Sequence, residues 1–143
     1  MNIMNMLIRW AILAIFIASV AQGQTEPQWI NIEDPDELRE LVSGKTIGNK
    51  GWVAYFRADG NTAELDYGSI AIRKWSINDN GKLCTAVYSL PDHIITCITF
   101  QRTTSDPAQY RIQFINGEVR NFRVFDEPPK SLVDALVERT GSD

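Results

Sequence analysis

The chain has a single histidine and only two cysteines in 143 residues. A histidine-based catalytic triad and a Cys/His metal cage are both thinly supplied with parts. Basic charge is also short: 14 Lys and Arg stand against 18 Asp and Glu, a formal net charge of -4. That balance argues against a protein whose task is to grip nucleic acid. Gly-x-Gly-x-x-Gly, a phosphate-binding loop, Gly-x-Ser-x-Gly, His-Glu-x-x-His and Cys-x-x-Cys are all missing. These absences weigh against an enzyme, and no cofactor or metal is implied. Repeats and low-complexity stretches are missing too. What remains is an ordinary globular composition, 44% hydrophobic and 22% charged, of a length suited to one domain.

Long apolar runs are confined to the first residues. Arg9 precedes an apolar stretch over 10–20, and Ala21-Gln22-Gly23 follows it. A positive start, a short apolar middle and small residues at -3 and -1 are the parts of a secretory signal. A stretch of eleven residues is too short for a bilayer span, which needs roughly 20. Residues 1–23 therefore read as a signal peptide cleaved after Gly23, the alternative being an uncleaved anchor. Residues 24–143 read as one disulfide-stapled, β-rich domain with no membrane span, secreted or periplasmic. Loss of Arg9 leaves 13 basic against 18 acidic residues, a net charge of -5.

Both cysteines lie in the mature part, and in an oxidising compartment an even count reads first as a disulfide. Residues 82–89 and 93–102 are rich in β-branched and aromatic side chains and are separated by Leu90-Pro91-Asp92. A hairpin centred between Leu90 and Pro91 places Cys84 directly opposite Cys97, within the reach of a disulfide. A redox-active pair is disfavoured, because such pairs sit close together at a helix start.

Asp34-Pro35-Asp36-Glu37 predicts a helix start, with Asp34 as N-cap, Pro35 at N1 and Glu37 at N3 completing a capping-box-like pair. Leu38, Leu41 and Val42 supply its apolar stripe and Gly44 its stop. Strands are expected over 51–58, 62–67, 70–77, 82–89, 93–102, 110–115 and 119–125, and residues 24–33 read as a lead-in. In the last hairpin, a three-residue loop with a left-handed glycine sets Ile112 against Phe122 and Tyr110 against Val124. Residues 131–139 predict a closing helix with Ser131 as N-cap. The fold class is mainly β (α+β): an antiparallel up-and-down sheet of seven or eight strands curled into a lipocalin-like barrel or half-barrel, with a short helix at each end.

Gly51-Trp52, Tyr55-Phe56-Arg57-Ala58-Asp59-Gly60, Gly68, Trp75 and Gly81-Lys82-Leu83-Cys84 followed by Cys97 form a pattern over roughly 41–115. It resembles small uncharacterised secreted or periplasmic proteobacterial proteins with a lipocalin-like sheet and a Trp…Asp-Gly-x-Leu-Cys…Cys pattern. Here the turn before the first cysteine reads Asp79-Asn80-Gly81, one residue longer than the compact form. The resemblance implies a fold and a compartment and no activity.

Four sets of residues offer chemistry. His93 beside Asp92 is a general-base candidate without a paired nucleophile, and reads as a turn histidine. Glu64 and Asp66, two apart on a strand, share a face; the expectation is a solvated face of an edge hairpin. In the register chosen above Arg111 lies opposite Arg123, a like-charge pair that needs something negative between its members. A carboxylate from Asp126, Glu127 or the lead-in supplies it, or an anionic ligand or partner does, with Arg102 and Arg120 extending the patch. Trp52, Tyr55, Phe56, Trp75, Phe100 and Phe122 recur along the strands and fill a barrel interior or line a cavity. Together these features describe a non-catalytic binding domain for an unknown small molecule or envelope partner. The alternative is an inhibitor or stabiliser of another secreted protein, and a hydrolase using His93 stands last.

Overall fold

The computed structural model describes residues 26–141, so the signal-peptide expectation lies outside the described residues. Within the described residues nine strands and two helices follow one another: β1 (Trp29–Asn31), α1 (Pro35–Val42), β2 (Lys45–Gly48), β3 (Trp52–Phe56), β4 (Asn61–Asp66), β5 (Ser69–Ile77), β6 (Leu83–Val87), β7 (Leu90–Thr103), β8 (Tyr110–Gln113), β9 (Val119–Phe125) and α2 (Lys130–Thr140). Strands β2 to β9 each pair antiparallel with the next, and β9 returns to β2, closing an eight-stranded up-and-down barrel. Closure is complete, so the half-barrel alternative does not apply and the barrel itself leaves no open edge.

The ninth strand comes from the segment read as a lead-in. β6 pairs with the first part of β7, up to Ile98, and β1 takes over the same side at Gln101 to Thr103. Two short strands thus share one long partner.

Cys84 pairs with Cys97 in the β6–β7 ladder, and the two are joined in a disulfide. The turn beyond them differs from expectation. Leu90, Pro91 and Asp92 belong to β7, the turn sits at Tyr88-Ser89, and two register shifts follow Thr85. Pro91, which has no N–H for a ladder, is absorbed in this irregular stretch.

The β8–β9 hairpin does close with a three-residue loop, Ile115-Asn116-Gly117, with Gly117 at φ 85°. Its frame is one residue earlier than expected, so Tyr110 pairs with Phe122 and Ile112 with Arg120. Partners move by two positions and the faces are unchanged, because side-chain direction has period two. Arg111 consequently opposes Asn121, and the expected Arg111–Arg123 cross-strand pair does not form.

Helix α1 starts as the sequence predicts: Asp34 Oδ1 accepts the Asp36 N–H at 2.9 Å, with Pro35 in the first turn. Glu37 does not close a capping box but pairs with Arg102 on β7. Leu38 and Val42 pack with Ile32, Phe56, Trp75 and Phe100, so α1 plugs one end of the barrel core. Helix α2 begins at Lys130 with Pro129 as N-cap and no side-chain cap bond, so Ser131 is inside the helix. Its Leu132 and Leu136 cover Val53, Tyr55, Ala63, Leu65 and Ile72 on the outer wall of β3 to β5.

Candidate functional site: the barrel lumen and an outer cleft

The cover of α2 decides which face of β4 looks inward. Ala63 and Leu65 point out to the helix, and the alternating residues Thr62, Glu64 and Asp66 point into the lumen. The expectation of a solvated face on an edge hairpin is therefore corrected for Glu64, whereas Asp66 at the mouth stays 42% exposed. The sequence shows the alternation plainly, but an apolar face is read as the inside unless a later helix is known to cover it.

The plugged end of the lumen is filled. Toward the other end, at the turns after β4 and β8, a cavity of about 360 Å³ remains. Its apolar walls come from Trp52, Phe56, Leu83, Ile98, Ile112 and Phe114, and its polar lining includes Glu64, Asp66, Arg73, Thr85, Thr96 and Arg120. Arg73 meets Glu64 at 3.2 Å. Arg120 contacts Glu118 at 2.8 Å and Asp66 at 3.8 Å across the mouth, with its guanidinium 5.1 Å from the Phe114 ring centre.

Burial pushes the Glu64 carboxyl above its ordinary range; Arg73 opposes the shift and Asp66 adds to it. Arg120 is held still more firmly in its charged form, chiefly by the bond to Glu118. Thr85 is 3% exposed, and its hydroxyl has no hydrogen-bond partner among the described residues although it lines the cavity. An unpaired buried hydroxyl costs roughly 1–3 kcal/mol.

A second, larger hollow of about 730 Å³ lies on the outside of the barrel. Trp29 and Phe125 supply its aromatic surface, and Lys50 and Arg123 its charge. Arg111 does not line it. Its guanidinium carbon sits 4.4 Å from the centre of the Trp29 ring, and its Nε donates to Gln101 Oε1 at 2.6 Å. Arg123 faces Gly48 across the β2–β9 ladder. The carboxylate expected between the two arginines is absent, since Asp126 is engaged by Lys45. Arg102 and Arg120 do not extend a patch here, being paired with Glu37 and with Glu118 and Asp66.

His93 is exposed on β7, and its side chain makes no hydrogen bond or ion pair with a described residue. Tyr55 lies outside the lumen under α2, and Tyr88 sits in the β6–β7 turn beneath Lys74 and Arg139. Among the described residues no group of three His, Cys, Asp or Glu could hold a metal, and no helix is long and apolar enough to cross a membrane. Thr85 and Arg73 were missed from sequence; their strand alternation was visible, but not the cavity they face.

No protein-family model, curated protein or solved structure matches the chain.

Proposed function

We propose that the protein is a non-catalytic binding domain of the secreted or periplasmic space that holds a small molecule in the barrel lumen. One observation carries this reading: the buried Thr85 hydroxyl lines a cavity with no partner, beside the buried Glu64 carboxyl. A cavity of about 360 Å³ falls in the size range of small-molecule sites. Apolar walls with a few convergent polar groups suit a ligand with an apolar body and one hydrogen-bonding head. The disulfide supports the compartment, because such bonds persist where the medium is oxidising.

The test is native mass spectrometry of the protein purified from its own host, followed by the Thr85→Val variant. A bound small molecule is expected on the natural protein and is lost or much reduced in the variant. The variant itself should be as stable as the natural protein or more so by about 1 kcal/mol, since valine removes the unpaired hydroxyl. Full occupancy in Thr85→Val would overturn the site. A stoichiometric protein in place of a small molecule would favour the inhibitor or stabiliser reading instead.

A further inference from the structure

We propose that the outer cleft is a second and separate binding site, for an amphipathic anion with a flat apolar body and one carboxylate or phosphate group. The strand period places Asn121, Arg123 and Phe125 on the outer face of β9. Opposite Arg123 stands Gly48, where a Cβ would come within 2.5 Å of the Trp52 carbonyl oxygen. Close backbone approach thus requires glycine, and the ladder has no side chain to cover the guanidinium from that side.

The walls are held in place before any ligand arrives. Asn49 donates from Nδ2 to the Asn121 carbonyl at 3.0 Å, and its Oδ1 accepts from the Gly51 N–H at 2.9 Å and the Trp52 N–H at 3.2 Å. The loop that carries Lys50 is therefore tied to β9. On the far side, the Trp29 ring is covered by Arg111, which is itself fixed through Gln101 to Asn31. Such preorganisation lowers the ordering cost of binding.

Charge then selects the occupant. No carboxylate lines the cleft, and neither Lys50 nor Arg123 has an ion-pair partner among the described residues, although acidic residues outnumber basic ones in the chain. A guanidinium fork suits a carboxylate or phosphate, Lys50 adds a point charge, and the aromatic faces of Trp29 and Phe125 suit a flat apolar body. The size of the hollow, about 730 Å³, sits well inside the range of ligand pockets.

The site is independent of the lumen reading, so either can fail alone. The test uses naphthalene-2-acetate and its neutral amide as probes, with amide chemical shifts of the disulfide-bonded mature protein as readout. Naphthalene-2-acetate is expected to shift the amides of Lys50, Asn121 and Arg123 and to bind about tenfold more tightly than the neutral amide. The exposed double variant Lys50→Gln, Arg123→Gln should weaken that binding by about tenfold, whereas Thr85→Val should leave it unchanged. Equal binding of acid and amide, undiminished binding by the double variant, shifts confined to Glu64, Arg73 and Thr85, or no shifts at millimolar probe would each overturn the proposal.

Discussion

The two ends of the barrel are built from the same strands and from opposite materials. Under α1, Leu38 and Val42 complete an apolar core, with the Phe56 and Trp75 rings edge to face at 5.8 Å. Several polar groups at that end are tied together, although Asn61 Oδ1 is buried there without a partner among the described residues. Trp75 Nε1 donates to the Arg57 carbonyl at 2.8 Å, Arg57 Nη2 donates to Asp59 Oδ2 and Thr140 Oγ1 at 2.6 Å each, and Asp59 Oδ1 takes the Asn61 N–H at 3.0 Å. At the mouth the pattern reverses. Glu64 is buried at a cost, the Thr85 hydroxyl is unpartnered, and Tyr67 and Ile115 stand 92% and 98% exposed on the turns. Apolar packing is concentrated at the plugged end, and the charged groups that face the lumen are concentrated at the mouth. A barrel can separate the two tasks in this way because its strands run the full distance between them.

This contrast can be broken by mutation. Leu38→Ala empties a fully buried position in the plug and should cost about 2–5 kcal/mol in urea unfolding, whereas Ile115→Ala at the mouth should change stability by no more than about 0.5 kcal/mol. Similar costs at the two positions would end the comparison.

Loss of the staple should come next in size. The disulfide sits where the β6–β7 ladder is still in register, on the plugged side of the two register shifts. Replacing Cys84 and Cys97 with alanine should lower stability by about 3 kcal/mol, given the short loop it closes. Amide exchange should rise most beyond it, over 86–95, where the ladder is irregular. Uniform loosening of the whole barrel would show that the staple does not divide regular from irregular sheet.

Acid and base should act on the two ends with opposite signs. Arg57 holds the Asp59 carboxyl down at about 2, against 3.8 unfolded. The stability it contributes is present above pH 3.8 and is lost as pH falls toward 2. Because its side chain is 43% exposed, screening reduces that contribution to about 1 kcal/mol. Asp59→Asn should remove this acid sensitivity. Glu64 is shifted upward by burial from 4.5, so its ionisation works against the fold, and stability should decline as pH rises above 4.5. Glu64→Gln should flatten that decline, and melting curves from pH 2 to 8 read both effects. A Glu64→Gln variant that tracks the natural protein across the upper range would place Glu64 in water rather than in the lumen.

How far the sequence could be read depends on how far apart the deciding residues lie. The α1 cap, the strand β9 and the Cys84–Cys97 register depend on neighbours within one turn or one hairpin, and each was legible. The Ser131 cap failed because Pro129 takes the N-cap position and Lys130 already enters the helix. The Arg111–Arg123 pair failed because a one-residue shift of a loop frame moves every partner by two while leaving the faces intact. Strand β1 was illegible because three residues carry too little pattern and depend on β7 for pairing.

The chain alone determined its alternation, the cysteine pairing and an interior rich in aromatic side chains, all of them consequences of period-two geometry. Tertiary structure decided which face is inside. Barrel closure brings β2 to β9, and α2 returns from the far end of the chain to cover β3 to β5. That cover gives the apolar face of β4 a partner outside the barrel and turns Glu64 and Asp66 inward. Burial on one side of a strand depends on what packs there, and here the packing element begins more than 60 residues later in the chain.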